Sequence, residues 1–221
     1  MKKKIYLILT VILVLACATV ALVACGNKPQ QGLNDNVSRR TDAYFAGESD
    51  CFAVSIEKGR RERTFIADGK ATDVIDFCQI TVVPLKSNEY QSVNFVVNGD
   101  DTTLGGEIAT SDFGEFTSVI ELNFTPKSVT VTAGSEVSEI DLTDMLEGKL
   151  TAQDAVNIAK EAFKDKLTAE SEEGEAAREI YVKLITGDRT NYYYYVSFIG
   201  DGVDYLAALI DPSTGDIVSK R

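Results

Sequence analysis

Any chemistry in this chain has to work without imidazole. The 221 residues contain no His and no Trp, which removes serine- and cysteine-type triads, His-ligated zinc and haem, and any imidazole base near neutral pH. Carboxylates, lysines, tyrosines and four cysteines remain: Cys17, Cys25, Cys51 and Cys78. Two acids facing one cleft could hydrolyse a glycosidic bond, but no spacing singles out such a pair. Asp100-Asp101 and the couple Asp201 and Asp204 lack the ligand spacing of a calcium loop, so neither a metal site nor a cofactor is expected. Tyr192-Tyr193-Tyr194-Tyr195 invites a stacking or sugar-binding role; plain packing by good strand residues is the leading reading, with an exposed aromatic pair as a partner surface the alternative. On a strand the four alternate, so two face inward and two outward. Lys58, Arg60, Arg61 and Arg63 form a basic cluster, expected to be a solvated hairpin, with envelope phosphates as the alternative ligand. A formal charge of −12 argues against a nucleic-acid binder, which needs a basic face.

The elements that must position these residues read as an α+β protein. With 44% hydrophobic and 25% charged residues, collagen-like, low-complexity and wholly disordered classes are excluded. Residues 43–134 show short apolar segments between turn residues, as in an all-β, sandwich- or barrel-like domain. Phe52-Val54-Ile56 alternate, and Lys58-Gly59-Arg60 is predicted to turn the chain. Segments 63–67 and 71–83 follow, divided by Asp68-Gly69. Val93-Phe95-Val97 lead into Asn98-Gly99, a strong hairpin signal. Phe116, Ile120, Leu122 and Phe124 share one parity before Pro126, and residues 128–132 make another strand. Cys51 and Cys78 both lie in this region. An even pair invites a disulfide, yet Cys78 shares a face with Val74, Ile80 and Val82 while Cys51 lies opposite the Phe52 face, so two separate thiols are equally in play. Residues 135–149 read as a charged linker with one helical turn near 141–146. From Thr151 the period becomes helical: Ala152, Ala155, Val156, Ile158, Ala159, Ala162 and Phe163 share one arc, predicting a helix over 152–166 with Thr151 as N-cap and Asp154 at N3. An acidic connector, Glu170-Ser171-Glu172-Glu173-Gly174-Glu175, is expected to be a loop. Three strands over 180–186, 191–199 and 203–210 and a short one at Ile217-Val218 complete a helix on an antiparallel meander.

Lys2-Lys3-Lys4 precede an apolar run from Ile5 to Ala24, the layout of a secretory signal over residues 1–24. Leu22-Val23-Ala24-Cys25-Gly26 resembles the lipobox of bacterial lipoproteins. Cys17, after Val14-Leu15-Ala16, is a weaker match. The resemblance implies cleavage before Cys25, acyl chains such as palmitate on that cysteine, and anchoring in the bilayer of the cell membrane with the protein facing the extracellular side. Removing residues 1–24 takes the formal charge from −12 to −15, which favours cationic partners or simply solubility. Residues 25–42, polar and rich in Asn and Gly, are expected to be a flexible tether. Asn36-Val37-Ser38 and Asn123-Phe124-Thr125 match a glycosylation sequon, which is accidental in a bacterial lipoprotein.

The helix beginning Leu150-Thr151-Ala152-Gln153-Asp154, the strand at Tyr195-Val196, Gly200, Gly202 and Tyr205, and the ending Leu209-Ile210-Asp211-Pro212-Ser213-Thr214-Gly215-Asp216-Ile217-Val218 resemble the PepSY domain family over residues 150–221. The resemblance implies a helix packed on an antiparallel sheet, no catalytic residues, and a role in binding or modulating an envelope protein, a peptidase above all. A cell-wall, glycan or small-ligand binding module is the alternative, and a carboxylate-based hydrolase a remote one. Independently of family, Asp211, Pro212, Thr214 and Gly215 have the chemistry of a tight turn.

Overall fold

The computed structural model describes residues 36–86, 90–110, 114–173, 178–201 and 204–221. The signal segment 1–24, Cys25, the tether as far as residue 35, Gly174-Glu175 of the acidic connector and Gly202 lie outside the described residues. The described chain runs β1 (Val37–Glu48), β2 (Phe52–Glu62), β3 (Val74–Pro84), β4 (Ser92–Asn98), β5 (Thr103–Ala109), β6 (Phe116–Val119), β7 (Ser128–Ala133), β8 (Glu136–Asp141), β9 (Thr143–Asp144), α1 (Ala152–Ala162), α2 (Lys164–Glu173), β10 (Glu179–Thr186), β11 (Tyr192–Ile199), β12 (Tyr205–Ile210) and β13 (Ile217–Lys220). None of its helices is long and apolar enough to cross a membrane.

Two sheets form. The larger has the order β13-β12-β11-β10-β1-β2-β3-β6, with β9 also pairing β1, and the smaller has the order β5-β4-β7-β8. Alternation in the sequence decides what each buries. Phe52, Ile56, Ile80, Val82 and Phe116 of the large sheet share one core with Val93, Phe95, Val97, Val129, Val131 and Ile140 of the small one, so the N-terminal region is a sandwich, one of the two expected shapes. A second core packs Ala152, Ala155, Val156 and Ala159 of α1 on Ile180, Val182, Leu184, Tyr194, Val196, Phe198, Leu206, Ala208 and Ile210. Three alanines on the buried stripe let the helix approach the sheet closely. Thr151 and Asp154 close a capping box at its start, and the hydrogen bonds from Thr151 hold the Asp154 carboxyl below the usual range.

Several sequence expectations are corrected. Residues 37–42 are not tether but the start of β1, which pairs antiparallel with β2 and, over Val37–Arg40, parallel with β10. The two expected domains therefore share one continuous sheet. Residues 135–149 are not a linker with a helical turn: β8 forms an edge of the small sheet and inserts Ile140 into its core, and β9 pairs with Phe45 and Ala46. Lys58-Gly59-Arg60 lies inside β2. Gly59 is required there because a Cβ would stand 2.0 Å from the Arg40 carbonyl oxygen, beside the register slip between Thr41 and Ala43. Strand β6 stops at Val119, although Ile120, Leu122 and Phe124 still pack on the first core. Strand β3 begins only at Val74, leaving residues 63–73 as an excursion between β2 and β3. The first helix ends at Ala162, and α2 carries the chain on to Glu173 through part of the expected acidic loop. The Cys51–Cys78 bridge is absent and both thiols are free. Cys78 is paired with Lys58, seven positions along β2 from Cys51, which is about 23 Å at strand rise. Asn36 is buried, as a glycosylated residue could not be.

The glycine at the slip gives a direct test. Gly59→Ala should cost about 3 kcal/mol in urea unfolding. Gly187→Ala, whose Cβ would meet nothing within 4 Å, should stay within about 0.5 kcal/mol of the parent.

Candidate functional site

The strands of the second core turn their other face outward, and there the chain's aromatic and cationic groups converge. Tyr181 of β10 and Tyr195 of β11, Arg39 of β1, Arg61 and Glu62 of β2, and Arg63 and Phe65 of the excursion line a groove of about 580 Å³. The four consecutive tyrosines divide by strand alternation, as expected. Tyr194 is fully buried beneath α1 and donates a hydrogen bond to the Leu150 carbonyl at 3.1 Å. Tyr192 is buried beside Tyr44, ring centres 5.5 Å apart, and burial pushes its hydroxyl up to about 12. Tyr193 and Tyr195 lie on the opposite face, half-buried. Tyr195 meets Tyr181 edge-on at 6.3 Å and Phe65 meets Tyr181 at 5.5 Å.

The basic cluster divides in the same way. Lys58 donates to the Phe124 carbonyl, and Arg60 pairs with Asp76 at 3.4 Å. Arg61 enters the groove with its guanidinium carbon 4.9 Å from the Phe77 ring, and Arg39 lies 5.0 Å from the same ring, so one aromatic side chain serves two cations. Arg39 pairs with Glu57 at 2.8 Å. The other Glu57 oxygen accepts from the Thr41 hydroxyl at 2.6 Å, and that hydroxyl oxygen accepts the Leu184 N–H at 3.2 Å. This chain of bonds holds β10 against β1 where their pairing ends. Arg63 pairs with Asp73 at 3.0 Å. Arg61 makes no ion pair among the described residues and reaches only the Gln79 amide oxygen, at 3.4 Å. It is the cation of the groove left open to a ligand.

Two acids lie at the groove's margin. Glu62 is 4% and Glu179 0% exposed. Glu62 accepts the Thr72 N–H at 2.5 Å with one oxygen, while its other oxygen, both oxygens of Glu179 and the Ser197 hydroxyl have no hydrogen-bond partner among the described residues. Burial, with the negative charges of Glu62 and Asp68 added, pushes Glu179 up to about 7. Acids sealed in this way cannot flank a scissile bond, so the pair does not supply the paired acids of the remote hydrolase reading. No group of three or more potential ligands among the described residues could hold a metal ion.

A larger cleft of about 720 Å³ opens where β10 parts from β1, lined by Tyr44, Glu57, Lys183, Arg189 and Tyr192 among others. Its charges are mixed, and Arg189 is engaged by Glu48 at 3.6 Å. The smaller groove, with its aromatic walls and open guanidinium, is the better site.

The closing turn has the geometry its residues suggested. Asp211 accepts the Ser213 N–H at 2.7 Å, Thr214 accepts the Asp216 N–H at 3.1 Å, and Gly215 sits at φ +81°. That turn, the helix and the meander correspond to a known family, described as the peptidase propeptide and YPEB domain. Residues 149–221 match the model of the PepSY domain family. No curated protein and no solved structure matches the chain. The PepSY-like stretch supplies Tyr181 and Tyr195, while every cation of the groove comes from the chain before it: Arg39 and Arg61 from strands and Arg63 from the excursion. Sequence reasoning assigned Arg39 to a tether and passed over Phe65, Glu62, Tyr181 and Glu179. Only Arg61, Arg63 and Tyr195 were singled out, and nothing in their spacing showed that they meet.

Glu179 makes stability depend on pH with a definite sign. The native carboxyl holds its proton up to about 7, whereas the unfolded chain releases it near the ordinary value of 4.5. The native state therefore binds the extra proton between those values, and stability falls as pH rises through that window, by roughly 3 kcal/mol from this group. Chemical denaturation at pH 4.5 and pH 8 should show that Glu179→Gln removes this part of the decline and is the more stable protein at pH 8.

Proposed function

We propose that the chain is a lipid-anchored protein on the outer face of the cell membrane, with no catalysis of its own. Its PepSY domain and the adjoining groove bind an envelope protein, a peptidase first among candidates, and restrain it. The PepSY match over residues 149–221 carries this reading, because such domains are linked to peptidase propeptides and peptidase regulation and are generally non-catalytic. The groove adds the recognition chemistry. Tyr181, Tyr195 and Phe65 offer flat apolar area at low entropic cost, and Arg61 offers a guanidinium ready for a carboxylate. Anchoring is supported by the Leu22-Val23-Ala24-Cys25-Gly26 pattern, since two or three acyl chains hold a protein stably at about 0.8 kcal/mol per buried CH₂.

Co-purification from solubilised envelopes tests the binding role. The native protein should retain a protein partner, and Arg61→Glu should lose at least nine-tenths of it. Recovery of no protein under conditions that keep weak complexes overturns the reading, and capture of isolated cell wall or a glycan instead would put the alternative binding module in its place. Mass spectrometry of the protein from its own membrane tests the anchor: a diacylglyceryl-bearing Cys25 at the N-terminus is expected, and an intact Met1 or a free Cys25 thiol overturns it.

A further inference from the structure

Residues 63–73 leave the end of β2, cross the outward face of the PepSY sheet and return to β3 as a strap. Phe65 rests on Tyr181, and Asp68 forms an isolated bridge with Asp201 beyond β11. The Asn36 side chain holds the returning half: its amide nitrogen donates to the carbonyls of Gly69 at 2.7 Å and Arg178 at 3.0 Å, and its oxygen accepts the Ala71 N–H at 2.7 Å. Glu62 holds Thr72, and Asp73 closes the strap at φ +45°, a left-handed conformation that Asp tolerates better than most residues. Apart from Gly69 and Ala71 its residues are exposed, Phe65 at 48% and Ile66 at 57%, so little apolar burial fastens it.

Beneath and beside the strap lie the two sealed acids. Glu62 on β2 and Asp68 on the strap face Glu179 electrostatically, and β11 contributes only the neutral, unpartnered hydroxyl of Ser197. The neighbouring cations are engaged elsewhere: Arg39 by Glu57, Arg63 by Asp73, and Arg178 by Asp204 and by the carbonyls of Phe198 and Asp204. Lys70 on the strap is exposed. An ionised Glu179 would be a second buried negative charge beside Glu62, with the exposed Asp68 adding to the repulsion and no hydrogen-bond donor on it among the described residues, an arrangement that must be neutralised or opened.

We propose that the strap is a proton-held latch: it stays closed over the sheet while Glu179 carries its proton and lifts when that carboxyl ionises. The strap is the element that moves because it has no strand ladder of its own, whereas Glu179 is fixed in β10 between β1 and β11. Lifting it withdraws Arg63 and Phe65 from the groove, so the groove is complete on the acidic side of neutrality and dismantled above it. The link to binding rests on the groove being the recognition surface; the latch itself does not.

Hydrogen exchange on the full chain, corrected for the intrinsic pH dependence of exchange, tests the latch without any ligand. Failure to find a binding partner therefore leaves the result intact. Protection of the Ala71 and Thr72 amides should fall at least tenfold between pH 6 and pH 8.5 in the native sequence, while the β4 and β7 amides hold. Glu179→Gln should keep the strap protected at both pH values. Asp68→Asn, at an exposed position, removes one of the charges that raise Glu179 and should move the transition to lower pH. Unchanged strap protection in the native sequence, the same transition in Glu179→Gln, or a midpoint unmoved or raised by Asp68→Asn would each overturn the proposal.

Discussion

The short parallel pairing of β1 with β10, over Val37–Arg40, is the constraint on which the rest depends. Without it the chain would be a sandwich followed by a separate helix-and-meander unit. With it, one sheet serves two cores, and β1 has to satisfy both. The register slip between Thr41 and Ala43 makes that geometrically workable: Ala43 and Phe45 pack into the sandwich core, while Tyr44 and Ala46 reach the core beneath α1. Beyond the slip, β9 takes the edge of β1 that β10 has left. The polar bonds at this seam, from Asn36, Thr41 and Glu57, are buried and point inward to backbone groups and to Arg39, where a lost partner costs most.

The groove exists because of that seam. Its tyrosines and its arginines belong to segments more than a hundred positions apart, and only strand adjacency sets Arg39 beside Tyr181. An acidic chain thereby concentrates guanidinium groups on one aromatic surface and leaves a single one, Arg61, without a carboxylate among the described residues. The same seam sets Glu179, whose carboxylate oxygens accept no hydrogen bond among the described residues, beside that groove, so the proposed recognition and the proposed latch would share one piece of sheet.

Where burial is one-sided and apolar, the sequence was legible. Val93, Phe95 and Val97, the Asn98-Gly99 turn, the Ala-rich face of α1 and the Asp211–Gly215 turn all behave as their periodicity and turn chemistry imply. It failed where the buried residues are polar. Asn36, Ser38 and Thr41 are almost wholly buried, yet a run of Asn, Ser, Arg and Thr carries no hydrophobic alternation, so the start of β1 read as tether. Glu136–Asp141 misled for a related reason, since one inward-facing Ile140 is enough to seat an edge strand. The Lys58-Gly59-Arg60 turn was a misreading of a glycine whose missing side chain admits a neighbouring carbonyl rather than reversing the chain. The meeting of Arg39, Arg61 and Tyr181 depends on sheet order, which local patterning does not encode.

The place of β1 in the middle of the large sheet also bears on how the molecule is assembled. One flank of this first strand stays unfilled until residues from the last quarter of the chain have been made, because β10 lies some 140 positions downstream. Pairings that distant close slowly and leave an open edge exposed to mispairing in the meantime. The N-terminal half therefore stays an unfinished template until the C-terminal strands arrive, and its protection in the interval is a consequence of building one sheet from both ends of a sequence.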